Sequence, residues 1–202
     1  MIAIIDYGAG NLQSVVKAFR YIGSDVCITG DKEELMMADA AILPGVGSFG
    51  DAMDCLQKSN LVNPVIDFIK SNKPFLGICL GLQLLFEESE ECPGVQGLGI
   101  LKGKICKIPA EQGLKIPHIG WNSLNIHQHN GLFQGLEPNP YVYFVHSYYL
   151  KAQQREIVSS TTTYGVTIDA SVRSGNLFAT QFHPEKSGET GLKMLKNFVS
   201  MI

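Results

Sequence analysis

A cysteine stands between two glycines in Pro74-Phe75-Leu76-Gly77-Ile78-Cys79-Leu80-Gly81-Leu82-Gln83, and Gln181-Phe182-His183-Pro184-Glu185 follows about a hundred residues later. These two segments supply a thiol, an imidazole and a carboxylate. Gly-x-Cys-x-Gly is the thiol counterpart of the nucleophile elbow, in which the side chain sits on a sharp turn between a strand and a helix. Free thiols are mostly protonated at neutral pH, so Cys79 needs a base and a favourable field, and a helix starting at the cysteine provides part of that field. His183 can take the thiol proton and return it to a leaving amine. Glu185 lies two residues on, and on an extended segment positions i and i+2 project the same way. It is therefore expected to reach the far imidazole nitrogen and fix its tautomer. A lone cysteine ending an apolar strand is normally a buried packing residue, and an isolated His-Pro-Glu is an ordinary loop. It is their joint presence that points to a Cys79–His183–Glu185 triad.

Acyl chemistry through a thiolate also needs donors for an oxyanion. The backbone N–H of Leu80, next after the nucleophile, is one source. The Gly45-Val46-Gly47 loop is another, because glycines turn amides inward without a Cβ clash; Val46 and Gly47 are the candidates. The Val46–Gly47 peptide is expected to point its N–H away from the site at rest. Gln83 falls at i+4 from Cys79 and Glu87 at i+8, so a continuing helix would turn both toward the thiol.

The elements that must hold these groups are legible as periodicity. Ile2–Asp6 is an apolar run broken by Gly8-Ala9-Gly10-Asn11, after which Leu12, Val15, Val16, Phe19 and Ile22 recur at helical spacing. Strands are expected over Asp25–Thr29, Ala40–Leu43 and Phe75–Ile78, and helices over Asp31–Met37, Ser48–Leu56 and Val62–Ser71. That alternation implies a parallel sheet with helices on both faces. The second half reads as strands over Lys104–Ile108, Asn122–Ile126, Tyr141–Leu150, Glu156–Thr162, Val166–Val172 and Leu177–Gln181, several of them antiparallel, then a helix over Gly188–Met201. With no repeat or linker, residues 1–202 are expected to form one mixed α/β domain. In open α/β sheets the site lies off the C-terminal strand ends. Gly8–Asn11, Pro44–Gly47, the Cys79 elbow and His183–Glu185 all fall there.

Composition narrows the function. At 202 residues and 45% hydrophobic, the chain can bury a substantial core; a net charge of −3 with no basic run argues against a nucleic-acid footprint. Apolar stretches are short, and Met1–Tyr7 lacks the basic n-region and cleavage site of a signal peptide, so a cytoplasmic protein without membrane spans is expected. Five cysteines, with no C-x-x-C pair and no histidines at zinc spacing, imply neither disulfides nor a metal site. No phosphate-binding loop is present, and no cofactor is called for.

The elbow and the Gln-Phe-His-Pro-Glu segment together resemble those of class I, triad-type glutamine amidotransferases. Within that class, Ile5–Leu12, Leu43–Gly47, Pro117-His118-Ile119-Gly120-Trp121-Asn122 and Tyr143–Tyr148 are similar to the glutaminase subunits of imidazole glycerol phosphate synthases, end to end. The resemblance implies a flavodoxin-like α/β fold with a mostly parallel core. It implies Cys79 as nucleophile, His183 as base and Glu185 as orienter, with Gly47, Gln83, Glu87 and the Ser147–Tyr148 backbone holding glutamine. It further implies that ammonia passes to a separate (β/α)8-barrel cyclase subunit, giving imidazole glycerol phosphate and an aminoimidazole carboxamide ribotide in histidine biosynthesis. Gly10, Asn11, Trp121, Asn122 and Lys186 follow strand ends beside the site and are the expected partner contacts. Other readings are the glutaminase subunit of a different synthase, such as pyridoxal phosphate synthase, a non-catalytic amidotransferase-like binding subunit, and a cysteine peptidase or esterase.

Overall fold

The computed structural model describes residues 1–110 and 113–202. In chain order its elements are β1 (Ile2–Ile5), α1 (Leu12–Tyr21), β2 (Val26–Thr29), α2 (Lys32–Met37), β3 (Ala40–Gly45), α3 (Phe49–Lys58), α4 (Val62–Lys70), β4 (Phe75–Cys79) and α5 (Leu80–Leu84). Then come β5 (Glu88–Ser89), β6 (Gly103–Lys107), β7 (His118–Ser123), β8 (Asn125–Ile126), β9 (Tyr141–His146), β10 (Tyr148–Ala152), β11 (Val158–Tyr164), β12 (Val166–Ser174), β13 (Leu177–Thr180) and α6 (Gly188–Val199).

The parallel strands stand in the order β2-β1-β3-β4-β13, and the same sheet continues through antiparallel β12, β10 and β6. The 2-1-3-4-5 order of the parallel part is the flavodoxin-like arrangement. Alternation along each strand divides the core in two. Ala3, Ile5, Ala41, Leu43 and Phe75 face α2, α3, α4 and α5; Ile2, Ile4, Ala40, Ile42 and Leu76 face α1 and α6. Strands buried on both faces read as near-continuous apolar runs, which is why β1, β3 and β4 stand out in the sequence. Helix starts follow their side chains: Asn11 caps α1, Asp31 caps α2 and Ser48 caps α3.

The second half departs from the expected boundaries in three places. The run expected over Tyr141–Leu150 breaks at Ser147: β9 pairs with β7 in a separate two-stranded ribbon, while β10 joins the main sheet against β6. The strand expected over Asn122–Ile126 splits into β7, which begins earlier, and the short β8. The chain over Arg155–Ile157 is a 3-10 turn, and β11 starts after it. Apolar alternation alone does not reveal which sheet a strand joins. A third apolar cluster, including Leu124, Val142, Phe144, Phe182 and Met194, lies under the ribbon. Among the described residues no helix is long and apolar enough to cross a membrane.

Candidate active site

Cys79 ends β4 and caps the N-terminus of α5 with φ +56° and ψ −107°. For a residue with a Cβ that backbone costs about 1–3 kcal/mol, offset by the packing around it. The packing requires the flanking glycines. A Cβ on Gly81 would lie 1.8 Å from the Leu43 carbonyl oxygen on β3, and one on Gly77 would lie 2.9 Å from the Gly81 carbonyl oxygen. The turn can close this tightly against β3 only where both side chains are absent. Helix α5 is just five residues long, so the field at the thiol comes from the first amides of the turn rather than from a long helix dipole.

His183 is 3% and Glu185 2% exposed at the side chain, and His183 Nδ1 lies 2.7 Å from Glu185 Oε1. The expected pairing is present, but the backbone reason differs. Pro184–Lys186 forms a 3-10 turn instead of continuing extended. The His183 backbone is fixed on both sides: its N–H donates to the Tyr143 carbonyl at 2.9 Å, and its carbonyl accepts from the Ser187 hydroxyl at 2.6 Å. Burial pushes the imidazole toward neutrality, but the Cys79 sulfur and the Glu185 carboxylate push the other way and prevail, raising His183 to about 9. Its Nε2, which faces no hydrogen-bond acceptor of good geometry, is the nitrogen left for chemistry. A protonated His183 beside Cys79 is a poised general acid.

Cys79, Leu80 and His183 open into a cavity of ≈ 380 Å³. Val46, Gly47, Gln83, Ser147, Tyr148 and Lys186 also line it, so the structure brings most of the expected residues together. Gly47 has φ +96° with open space where a Cβ would go. Glu87 does not reach the cavity. Helix α5 stops at Leu84, so the i+8 stripe fails, and the Glu87 carboxylate instead accepts the Gly103 N–H at 3.2 Å. A different carboxylate, Glu91, lines the cavity, held by the Phe49 N–H at 2.8 Å. Its only sequence signal is an acidic run, Glu87-Glu88-Ser89-Glu90-Glu91, in which position alone does not single it out. Gln181 was also missed as a site residue: fully buried, its Nε2 donates to Cys79 Sγ at 3.7 Å.

The ribbon forms one rim. In the β7–β9 register Ile119 lies opposite Val145, Trp121 opposite Tyr143 and Ser123 opposite Tyr141. Ile119, Trp121 and Tyr141 are 59%, 55% and 61% exposed, a large apolar face beside the cavity mouth. Lys186 Nζ sits 6.0 Å over the Tyr143 ring. Asn122, by contrast, falls on the opposite face because side chains alternate along a strand. Its Nδ2 donates to the Thr163 carbonyl at 3.0 Å, which takes it off the face that carries Trp121. Asn11 is exposed at the start of α1, where its Oδ1 caps the Ser14 N–H, and Gly10, at φ +131°, packs near the Pro44 carbonyl.

Beneath the ribbon two buried histidines touch. His118 Nδ1 lies 3.0 Å from His146 Nε2, and His146 Nδ1 lies 2.9 Å from the Tyr148 carbonyl. The carbonyl only accepts, so His146 carries its proton on Nδ1 and His118 donates from Nδ1. Burial pushes His118 down to about 4. Burial, with His118 and His183 nearby, pushes His146 to about 3 against the pull of the Tyr148 carbonyl. Among the described residues no group of three His, Cys, Asp or Glu side chains is placed to hold a metal ion.

The family model described as glutamine amidotransferase class-I matches residues 3–202. The chain belongs to the class-I glutamine amidotransferase family. Members of this family similar to it include the imidazole glycerol phosphate synthase subunit HisH of Methanothermobacter thermautotrophicus, 52% identical over 202 residues and covering 100% of this chain and 99% of that protein. HisH of Caldanaerobacter subterraneus subsp. tengcongensis is 51% identical over 202 residues, covering 100% and 98%. Among solved structures, a glutamine amidotransferase matches with TM-score 0.77 at 18% identity over 100% of this chain and 98% of its own. PurLQS from Thermotoga maritima matches with TM-score 0.76 at 22% identity, covering 98% and 97%. At those identities the structural likeness is one of fold, and the amidotransferase fold is the one described above.

Proposed function

We propose that this chain is the glutaminase subunit of an imidazole glycerol phosphate synthase. Residues 1–202 act as a single domain in a cytoplasmic heterodimer with a (β/α)8-barrel cyclase subunit. One observation carries the reading: a thiol on a strained elbow shares a small cavity with a buried imidazole that a carboxylate orients. The full-length likeness to HisH subunits supports the particular synthase.

In the reaction Cys79 Sγ attacks the side-chain amide carbon of glutamine. The carbonyl oxygen becomes an oxyanion, met by the Leu80 N–H and by the Val46–Gly47 peptide once it is turned inward. His183 gives its proton to the amide nitrogen, the C–N bond breaks and ammonia leaves. Water, deprotonated by His183, then cleaves the thioester to release glutamate. Gln83 and the Ser147–Tyr148 backbone line the substrate's path, and Glu91 takes the place expected of Glu87 by supplying a carboxylate for the α-ammonium group. The exposed Ile119–Trp121–Tyr141 face, Lys186 at the mouth and the Gly10–Asn11 loop offer the surface on which a barrel subunit docks. Ammonia then crosses there without meeting bulk water.

The test is ammonia release from glutamine with and without a histidine-pathway barrel cyclase and its nucleotide ligand. Stimulated release is expected. In the assembled enzyme, Cys79→Ala is expected to abolish glutamine-dependent synthesis of imidazole glycerol phosphate and to spare synthesis from added ammonia. Loss of both activities with the complex intact would overturn the division of labour.

A further inference from the structure

The groups that hold Gln181 determine which way its amide faces. The Tyr148 carbonyl only accepts. Gln83 Nε2 donates to it at 3.1 Å, so the nitrogen end of the Gln83 amide is the end turned toward β10. The second hydrogen on that nitrogen meets Gln181 at 3.0 Å, and what it meets must be an acceptor, Oε1. Gln181 Nε2 is thereby turned to the Cys79 sulfur, 3.7 Å away. The Tyr148 carbonyl also accepts the His146 Nδ1–H at 2.9 Å, so both of its lone pairs are engaged and a flipped Gln83 would set oxygen against oxygen. Gln181 is completely buried and Gln83 nearly so, which leaves no water to satisfy the amides in the other orientation.

We propose that Gln181 is a further catalytic residue: its fixed amide N–H donates to the Cys79 sulfur, holds that sulfur in the cavity and favours its ionised form. The thiol form has a different partner, the Val145 carbonyl at 3.9 Å, to which an S–H can donate. Ionisation removes that donor and leaves the Gln181 N–H as a charge-assisted bond to the thiolate. His183 takes the proton, and Gln181 stabilises the charge left behind. The role rests on the glutaminase reading, whereas the contact can be tested without it.

Gln181→Met keeps the length of the side chain and removes the N–H. The measurement is the rate of iodoacetamide alkylation at Cys79 across pH, followed on the Cys79 peptide by mass spectrometry so that the other cysteines do not contribute. A hydrogen bond to a charged group predicts alkylation about three- to tenfold slower at neutral pH, returning to the wild-type rate in alkali where the thiol ionises without help. Superimposable profiles in a folded variant overturn the proposal. Should the variant not fold, the intact protein serves instead. The Gln181 side-chain amide proton resonance is expected to move as Cys79 titrates and to stay still in Cys79→Ala; a resonance that ignores Cys79 overturns the proposal equally. A wild-type protein that does not hydrolyse glutamine at all, even with the cyclase subunit, would sink the glutaminase reading and leave the alkylation result to judge Gln181 on its own.

Discussion

Acidification is expected to weaken the fold through His118 and His146. Both side chains are nearly buried, and both are held neutral: burial takes His118 from 6.5 down to about 4 and His146 from 6.5 to about 3. The unfolded chain binds protons at these groups from the ordinary histidine range downward, while the folded chain does not. Their contribution is therefore fully present above pH 6.5 and falls away as pH drops toward their folded values. A pH of about 5 lies roughly one and a half units below the unfolded value, which costs about 2 kcal/mol for each group. His183 works in the opposite sense, since its folded value is raised to about 9. It adds stability as the pH falls from about 7.5 to about 5, and it does so in both proteins compared below. The perturbation that separates these terms is His118→Gln, which removes one titrating group and leaves the other two. Urea unfolding is measured for both proteins at about pH 7.5 and about pH 5. The drop on acidification is expected to be about 2 kcal/mol larger in the wild type than in the variant. Equal drops would refute the assignment of His118 as a neutral buried imidazole.

Gly81→Ala places a Cβ 1.8 Å from the Leu43 carbonyl oxygen, so it is expected to displace the elbow and abolish alkylation-competent Cys79, read by the same mass-spectrometric assay. Glu185→Gln is expected to lower turnover far less than His183→Ala, because it leaves a base in place; equal losses in folded proteins would give Glu185 another role. Trp121→Ala is expected to weaken binding of the cyclase subunit by about 2 kcal/mol, as for an exposed aromatic anchor, in titration calorimetry. Gly47→Ala, at a φ of +96° that a Cβ disfavours, is expected to change the ratio of cyclase-stimulated to basal glutamine hydrolysis more than it changes association. An unchanged ratio would reject a loop switch and leave the triad standing.

The sequence by itself determined the parallel core and the reacting groups, because both are written locally. β1, β3 and β4 are apolar runs between turn residues, the helices repeat every third or fourth residue behind their caps, and the elbow glycines flank Cys79 within a few positions of it. His183 and Glu185 are near neighbours, so their pairing needed only a short turn, although the turn proved to be 3-10 rather than extended. The tertiary structure alone decided whatever depends on which distant segments meet. The end of α5 at Leu84 took Glu87 away and brought in Glu91, carried by the loop that follows β5. The break at Ser147 sent β9 to the ribbon and β10 to the main sheet, and the ribbon's register set Trp121 opposite Tyr143. Gln181 meets Cys79 across a separation of 102 residues, and His118 meets His146 across 28. Hydrophobic periodicity reports which side of an element is buried. It carries no information about what is buried against it, and hydrogen bonds between buried polar side chains are decided there.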